Sequence, residues 1–218
     1  MVTKLYWDPA YRIIPSRYPV VGIFDAVADP GDLDVVLLLE AATNPRVLEE
    51  AGELPLVRPA DRISGPGSTP IMAAFTHTRA SRFSDATFGV YYSAGDEQTG
   101  ITETAFHRAR FLREARLPNE RLDMRVYAAS ISGKMQDVRR GARPRGVLAP
   151  DSYAASQAYG VKLYRAGAVD GIVYPSVRRR AGECVAVFRP RCVTACHAVK
   201  HLEYRFENYE LTAAVEIT

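Results

Sequence analysis

Several signals that identify common classes of protein are absent from this sequence of 218 residues. No apolar run approaches the roughly 20 residues that a membrane-spanning helix needs. The N-terminus carries a charge and an early proline, so it lacks the apolar core of a secretory signal. Only three cysteines occur, an odd number that argues against a disulfide framework. We therefore expect a cytoplasmic protein that does not contact a membrane.

Motifs of several catalytic and metal-binding classes are also missing. There is no G-x-S-x-G nucleophile elbow, and the glycine-rich loop at residues 64–68 lacks the lysine of a phosphate-binding P-loop. Cys192, Cys196, His197 and His201 could each ligate zinc, but no loop separates the cysteines from the histidines to bring both pairs around one ion. We therefore expect no metal site, with buried thiols and surface histidines instead.

The overall composition is that of an ordinary globular protein, with 47% hydrophobic and 24% charged residues. A chain of this length suits one sizeable domain, and we expect residues 1–218 to form it. The net charge of +3 is too small to indicate nucleic-acid binding. Arginines nevertheless form two local runs, which are either solvated surface or a site for phosphate or an acidic partner. The runs are Arg139, Arg140, Arg143 and Arg145, and then Arg178, Arg179 and Arg180.

Hydrophobic periodicity predicts an α+β protein, a single compact domain with a mixed β-sheet core and flanking helices. No regular alternation of strands and helices supports a Rossmann fold. Helices are predicted at residues 33–42, from the Asn44-Pro45 break to Gly52, at 97–115 and at 152–166, with Asp32 capping the first. Strands are predicted at residues 4–14, 87–94, 122–130, 171–174, 183–188, 202–206 and 209–217, and an extended segment at 54–58. Residues 70–76 fit either a helix or a strand.

Side chains that could carry chemistry concentrate in residues 81–104. Glu103 lies early in a predicted helix, where the helix N-terminus favours an ionised carboxylate. Such a carboxylate can stabilise an oxocarbenium-like sugar, or it can be a solvated residue that pairs with His107 one turn later. The planar fork of Arg82 suits phosphate, although a surface salt bridge would also use it. Arg12 lies in an apolar strand and needs an anionic partner, which could be Glu103, another acid or a ligand phosphate.

Two tyrosines and a serine extend this set. Tyr91 and Tyr92 alternate across a predicted strand, so one should enter the core while the other can stack on a base or a nicotinamide ring. Ser176 follows a strand in a loop, where it could hydrogen-bond a ligand phosphate or sugar, or only its own turn.

An ordered set of motifs resembles the RES domain, a family named for a characteristic arginine, glutamate and serine. The resemblance covers about residues 5–190. Its motifs are Tyr11-Arg12-Ile13, Ser81-Arg82-Phe83-Ser84, Gly89-Val90-Tyr91-Tyr92, Thr102-Glu103-Thr104, Ser156-Gln157 and Asp170-Gly171-Ile172-Val173-Tyr174-Pro175-Ser176. The chain departs from the compact family form through a longer region between Arg12 and Arg82, and Ser84 stands where many members have asparagine.

The resemblance implies a fold similar to that of ADP-ribosyltransferase toxins. It also implies a toxin of an Xre–RES toxin–antitoxin module that removes NAD by hydrolysis or phosphorolysis. NAD would be the substrate, with no cofactor, and water or inorganic phosphate would be the acceptor. The partner would be an Xre-like antitoxin, in a complex that could hold more than one copy of the chain. One alternative is transfer of ADP-ribose to a cellular protein, and another is a non-enzymatic interaction module that uses the arginine runs.

The resemblance also implies roles for particular residues. Carried over by motif, the catalytic set would be Arg12, Arg82, Tyr92 and Glu103. Tyr92 is preferred to Tyr91 because its spacing to Glu103 fits the family pattern better. The substrate-binding residues would be Tyr91, Ser156, Gln157 and Ser176. The resemblance leaves open whether Ser176 or Ser156 is the family serine.

Overall fold

Two long strands and the sheet around them organise the chain in a computed structural model that describes residues 1–16, 22–43, 47 and 51–217. The predicted break at Asn44-Pro45 and most of the short helix after it lie outside the described residues. The strands are β1 (Val2–Pro15), β2 (Tyr91–Ala94), β3 (Glu120–Asp137), β4 (Gly171–Pro175), β5 (Glu183–Val187), β6 (Val193–Glu207) and β7 (Glu210–Ile217). The α-helices are α1 (Leu33–Thr43), α2 (Thr69–Thr76), α3 (Glu97–Ala115) and α4 (Ala154–Ala166).

The seven strands form one mixed sheet in the order β1-β2-β5-β4-β3-β6-β7. The β1 strand also pairs along β3, from Val2 opposite Gln136 to Pro15 opposite Met124. This extra pairing closes β1, β2, β5, β4 and β3 into a ring, and β6 and β7 extend the sheet beyond it. Only the pairing of β3 with β4 is parallel among these described strands. The prediction of an α+β fold with a mixed sheet and flanking helices is confirmed.

The ring is weakest where β1 meets β2. These two strands are joined at a single residue pair, Tyr11 opposite Ala94. Elsewhere β1 follows β3, and β2 follows β5 through four successive pairs. Beyond the Tyr11–Ala94 pair the two strands therefore leave an opening between them.

The α3 helix covers this opening, and its boundaries follow from local sequence signals. Asp96 caps it, because its carboxylate accepts hydrogen bonds from the Thr99 backbone N–H at 2.9 Å and the Thr99 hydroxyl at 2.6 Å. The helix ends at Arg116, which adopts a left-handed conformation before Pro118. Ile101, Ala105 and Leu112 face the core on one stripe of the helix, as their spacing predicts.

Several predicted elements differ from the structure. Residues 54–58 are not extended, because Leu54–Leu56 forms a 3₁₀ turn with a proline as its second residue. The strand predicted at 87–94 is restricted to Tyr91–Ala94, and the undecided residues 70–76 belong to the α2 helix. The cap before α1 is Asp29, not Asp32, because a 3₁₀ turn at Pro30–Asp32 precedes the helix and Asp29 accepts the Gly31 N–H at 2.8 Å.

The β6 strand is longer than predicted, whereas β7 agrees with its prediction to within one residue. The β6 strand begins at Val193 rather than at residue 202, and its first half alternates poorly between buried and exposed positions. Ala195 there has a positive φ of 52°, in a stretch where the register with β3 shifts. None of the helices in the described part of the chain is long and apolar enough to cross a membrane.

Candidate functional site

A cleft of about 670 Å³ lies at the opening between β1 and β2. Its walls come from both strands, from one face of α3, and from the segment at residues 80–82. Tyr153 and Gln157, at the start of α4, close the far side. The volume is within the range of small-molecule sites.

The four residues predicted to be catalytic all line this cleft. Arg12 comes from β1, Arg82 from the segment at residues 80–82, Tyr92 from β2 and Glu103 from α3. Together they bring sequence positions as distant as 12 and 103 to one cavity. Their roles in a reaction stay predictions, because the geometry alone does not test them.

Arg12 carries a charge that no carboxylate neutralises within 4 Å among the described residues. Its Nη1 donates to the Tyr92 carbonyl at 3.1 Å, and its guanidinium lies 4.7 Å from the centre of the Tyr91 ring. Its Nε is buried and makes no hydrogen bond to any residue that the structure describes. A half-buried cation in this state is ready for an anionic ligand.

Arg82 is held in a similar way and is almost fully buried, with 6% of its surface exposed. Its Nη1 donates to the Ala149 carbonyl at 3.0 Å, and its guanidinium lies 4.5 Å from the centre of the Tyr153 ring. It forms no salt bridge with any described carboxylate, so the surface-ion-pair interpretation does not apply. Two guanidinium groups therefore face one cleft without anionic partners.

Glu103 is oriented by Ser176. The serine hydroxyl donates to Oε1 of Glu103 at 2.6 Å. The same hydroxyl oxygen accepts the backbone N–H groups of Arg178 at 3.1 Å and Arg179 at 2.9 Å. Because those two donors occupy its lone pairs, the hydroxyl proton must point at the carboxylate. Ser176 therefore contacts Glu103 behind the cleft wall and is not among the lining residues.

The arginine run after Ser176 packs on the N-terminal half of α3. Arg179 contacts Asp96 at 3.3 Å and Thr99 at 3.0 Å, while the Arg178 guanidinium lies 3.3 Å from the centre of the Phe106 ring. Asp96, Thr99 and Phe106 share the helical face that also carries Glu103. Arg178 and Arg179 therefore secure the loop that orients the carboxylate.

Tyr92 lines the cleft with its ring, while its hydroxyl bonds to the protein. The hydroxyl accepts the Phe83 N–H at 2.9 Å and hydrogen-bonds Ser81 Oγ at 2.9 Å. Burial raises the pKa of Tyr92 to about 12, so the group keeps its proton at neutral pH. Gln157 also lines the cleft, and its side-chain N–H donates to the Ser81 carbonyl at 2.9 Å.

Tyr91 and Ser156 lie behind the cleft surface. Tyr91 is fully buried beneath Arg12, and burial raises the pKa of its hydroxyl well above the usual value. Ser156 is fully buried in α4 and donates to the Tyr153 carbonyl at 3.0 Å. Of the two serines left open by the sequence, Ser176 is the one in contact with Glu103.

His107 does not form the suggested ion pair with Glu103 among the described contacts. More than a third of its surface is open to the cleft, yet burial of the rest and the charges of Arg108, Arg178 and Arg82 lower its pKa to about 4. The imidazole is therefore neutral at physiological pH. A neutral ring therefore brings no positive charge to the Glu103 carboxylate.

The residues of the zinc hypothesis are dispersed. Cys192 and Cys196 are buried, and burial raises the pKa of their thiols to about 12 and about 11. The His201 ring nitrogen accepts from Arg125 at 3.0 Å, and His197 is exposed. Among the described residues, no group of three or more such side chains could hold a metal ion.

Tyr153 is a site residue that sequence reasoning missed. It lines the cleft, its ring lies against Arg82, and its carbonyl accepts the Ser156 hydroxyl. It stands three residues before the Ser156-Gln157 motif, so its place at the start of the same helix was the available signal.

This arrangement can bind an anion and stabilise a positive charge in the same cavity. Arg12 and Arg82 supply two guanidinium forks for phosphate oxygens. Glu103 supplies a carboxylate whose orientation is fixed by Ser176. Aromatic side chains around them offer flat apolar surface for a ring.

Comparison with known proteins identifies the family of this chain. A family model described as "RES domain" matches residues 59–207. The chain is 25% identical over 184 residues to the "Uncharacterized protein y4oC" of Sinorhizobium fredii (strain NBRC 101917 / NGR234), covering 84% of this chain and 76% of that protein. A chain of the crystal structure of the M. tuberculosis MbcT–MbcA toxin–antitoxin complex aligns with a TM-score of 0.47 and 10% identity, covering 92% of this chain and 86% of that one. Because the matched region is more than half of its length, the chain belongs to the RES domain family.

Proposed function

We propose that this protein is the toxin of a toxin–antitoxin module and removes NAD by cleaving its nicotinamide–ribose bond. Water or inorganic phosphate would accept the ADP-ribose group. The observation that carries the proposal is the cleft itself, where two guanidinium groups without anionic partners face an oriented carboxylate. Membership of the RES family supports the same reading.

The first step in this mechanism is binding through charge. Arg12 and Arg82 would hold the pyrophosphate of NAD, because each presents a planar donor fork that lacks a carboxylate partner. The aromatic side chains of the cleft would contact the nicotinamide ring. Burial strengthens these contacts, because the effective dielectric inside the protein is lower than in water.

The second step is loss of nicotinamide. The C1′–N bond breaks, its electron pair passes to the ring nitrogen, and the cationic nicotinamide leaves as a neutral molecule. Positive charge then develops on the ribose, where the Glu103 carboxylate would stabilise it. The acceptor oxygen forms the new bond to C1′ and releases its proton to solvent. Neither step needs a cofactor, because the leaving group already carries a positive charge.

The arginine runs support the enzyme over a basic interaction module. Arg139 pairs with Asp137 and Glu183, each at 2.7 Å, and Arg178 and Arg179 pack on α3. These three side chains are therefore used within the protein, which leaves a weaker basic surface than the sequence suggests. We further propose that an Xre-like antitoxin inhibits by covering the mouth of the cleft, near the exposed Phe111.

The deciding experiment is mass spectrometry of the products of NAD, with and without inorganic phosphate, in the presence of a cell lysate. ADP-ribose or its 1″-phosphate supports the proposal and identifies the acceptor. A lysate protein that gains the mass of an ADP-ribose group would instead indicate an ADP-ribosyltransferase. The matched control is Glu103→Gln, which keeps the shape but not the charge. We expect it to lose 10²-fold or more in rate and to relieve growth arrest. Full toxicity of a well-expressed Glu103→Gln protein would refute the proposal.

A further inference from the structure

The segment that presents Arg82 is held by side chains of two neighbouring elements. Residues 81–83 belong to neither a helix nor a strand. The Tyr92 hydroxyl, from β2, bonds to Ser81 Oγ and to the Phe83 N–H, one on either side of Arg82. Gln157, from α4, donates to the Ser81 carbonyl. A backbone hydrogen bond from the Ser81 N–H to the Ser84 carbonyl at 2.8 Å closes the same segment. The backbone at Arg82 therefore takes part of its position from the side chains of Tyr92 and Gln157, since no regular ladder supplies it.

The Tyr92 hydroxyl has little capacity left for a ligand. It has one proton and two lone pairs, and two of these three are used by Ser81 and Phe83. If Tyr92 served only to stack on a ring of the substrate, its phenyl group would be enough. The hydroxyl geometry instead points to a role in placing Arg82.

We propose that Tyr92 and Gln157 are positioning residues that act through Arg82. They fix residues 81–83 so that the Arg82 guanidinium meets the phosphate or pyrophosphate group of the bound molecule. The identity of that molecule as NAD rests on the proposed function. The three hydrogen bonds from Tyr92 and Gln157 to residues 81–83, called the clamp below, are seen in the structure itself.

The clamp is separate from the group that orients Glu103. Ser176 and the backbone of Arg178 and Arg179 hold the carboxylate, and none of them hydrogen-bonds Tyr92 or Gln157 in the described structure. Loosening the clamp should therefore weaken binding of the anionic group and leave the chemical step at Glu103 intact. This separation predicts a change in KM with little change in kcat.

The test uses the full chain and three anionic probes: NAD, ADP-ribose and inorganic pyrophosphate. In Tyr92→Phe the ring remains and only the hydroxyl is lost. We expect binding of pyrophosphate and ADP-ribose to weaken about fivefold or more, because about fivefold is the factor for one neutral hydrogen bond and the substitution removes two. The KM for NAD should rise by the same factor, while kcat stays within twofold. Gln157→Leu should shift the same quantities in the same direction.

The matched control is Tyr159→Phe. Tyr159 is a half-buried tyrosine of α4 with no hydrogen bond to residues 81–83 among the described contacts, and its variant should bind all three probes like the wild type. An Arg82→Ala background supplies the second control. If Tyr92 acts through Arg82, adding Tyr92→Phe to Arg82→Ala should weaken pyrophosphate binding no further, as measured by NMR titration at millimolar ligand.

Two results would overturn the proposal. In the first, Tyr92→Phe binds the probes like the wild type and only Tyr92→Leu binds them more weakly. This result would show that the aromatic ring of Tyr92, and not its hydroxyl, supports binding. The other is a Tyr92→Phe effect that persists in full in the Arg82→Ala background. Because pyrophosphate binding is measured without turnover, the clamp stays testable even if NAD is not cleaved. Faster hydrogen exchange of the Phe83 amide in Tyr92→Phe would report the loosened segment directly.

Discussion

Replacing Ser176 by alanine tests whether orientation of Glu103 matters for the reaction. The substitution removes the 2.6 Å hydrogen bond to the Glu103 carboxylate and the acceptor of two backbone N–H groups. A hydrogen bond to a charged group contributes about 1.5–3 kcal/mol, against about 1 kcal/mol for a neutral one. Glu103 is open to the cleft, so water can replace part of the lost bond.

We therefore expect Ser176→Ala to lose about 2 kcal/mol of transition-state stabilisation, which corresponds to roughly 30-fold in rate. In the proposed mechanism the carboxylate stabilises charge that develops only as nicotinamide leaves, so the loss should fall mainly on kcat. Release of nicotinamide from NAD under saturating substrate measures it. A thermal melt of the same protein separates this effect from unfolding of the loop.

Ser156→Ala is the matched comparison, since the two serines could not be separated by sequence. Its hydroxyl bonds only to the Tyr153 carbonyl within its own helix turn, so we expect a stability loss of about 1 kcal/mol and a much smaller loss of kcat. The reasoning fails if Ser176→Ala keeps wild-type kcat with an unchanged melting temperature. It fails equally if Ser156→Ala lowers kcat more than Ser176→Ala does.

Three further predictions concern stability and binding. Gly160→Ala should destabilise the protein by about 2–3 kcal/mol in calorimetry, because the new Cβ would lie 2.0 Å from the Phe83 carbonyl oxygen, a backbone atom that cannot rotate away; a wild-type melting temperature would contradict this. Arg12→Lys should raise the KM for NAD about tenfold or more, since lysine lacks the planar fork that can bond the Tyr92 carbonyl and the proposed phosphate group at the same time; an unchanged KM would remove Arg12 from the proposed binding site. Burial opposes ionisation of Asp96, but hydrogen bonds from Thr99 and the charge of Arg179 outweigh it and lower its pKa below 3.8. The ionised Asp96 carboxylate therefore stabilises the fold above that pH, and its contribution is lost as the pH falls. The melting temperature of the wild type should exceed that of Asp96→Asn by less at pH 2.5 than at pH 6. A difference that stays constant over this range would contradict the prediction.

Local signals explain which parts of the fold were predictable. The α3 helix carries its own cap at Asp96 and a regular apolar stripe, and the short β4 and β5 strands are dense in β-branched residues. The first half of β6 carries no such pattern, because its exposed positions do not alternate and its register shifts near Ala195. Such a strand is defined by its partner β3, which lies far away in sequence.

The candidate site shows the same division between local and long-range information. Sequence reasoning selected Arg12, Arg82, Tyr92 and Glu103, and the structure places them around one cleft. The sequence did not distinguish residues that face the cleft from residues that hold a cleft residue in position. That distinction depends on contacts such as Ser176 with Glu103 and Tyr92 with Phe83. The second contact spans nine residues and the first 73, so neither follows from periodicity.

The pairing of β1 with β3 has a consequence for when the cleft can exist during synthesis. Arg12 lies near the start of the chain, outside the matched residues 59–207, but its strand is held by a partner more than a hundred residues later. The ribosome must therefore release β3 before β1 has a place to bind, and β5 before β2 is supported. A nascent chain that ends before residue 187 lacks the complete ring. Synthesis of this protein therefore includes an interval in which the emerging chain already carries Arg12, Arg82 and Glu103 but has no complete cleft.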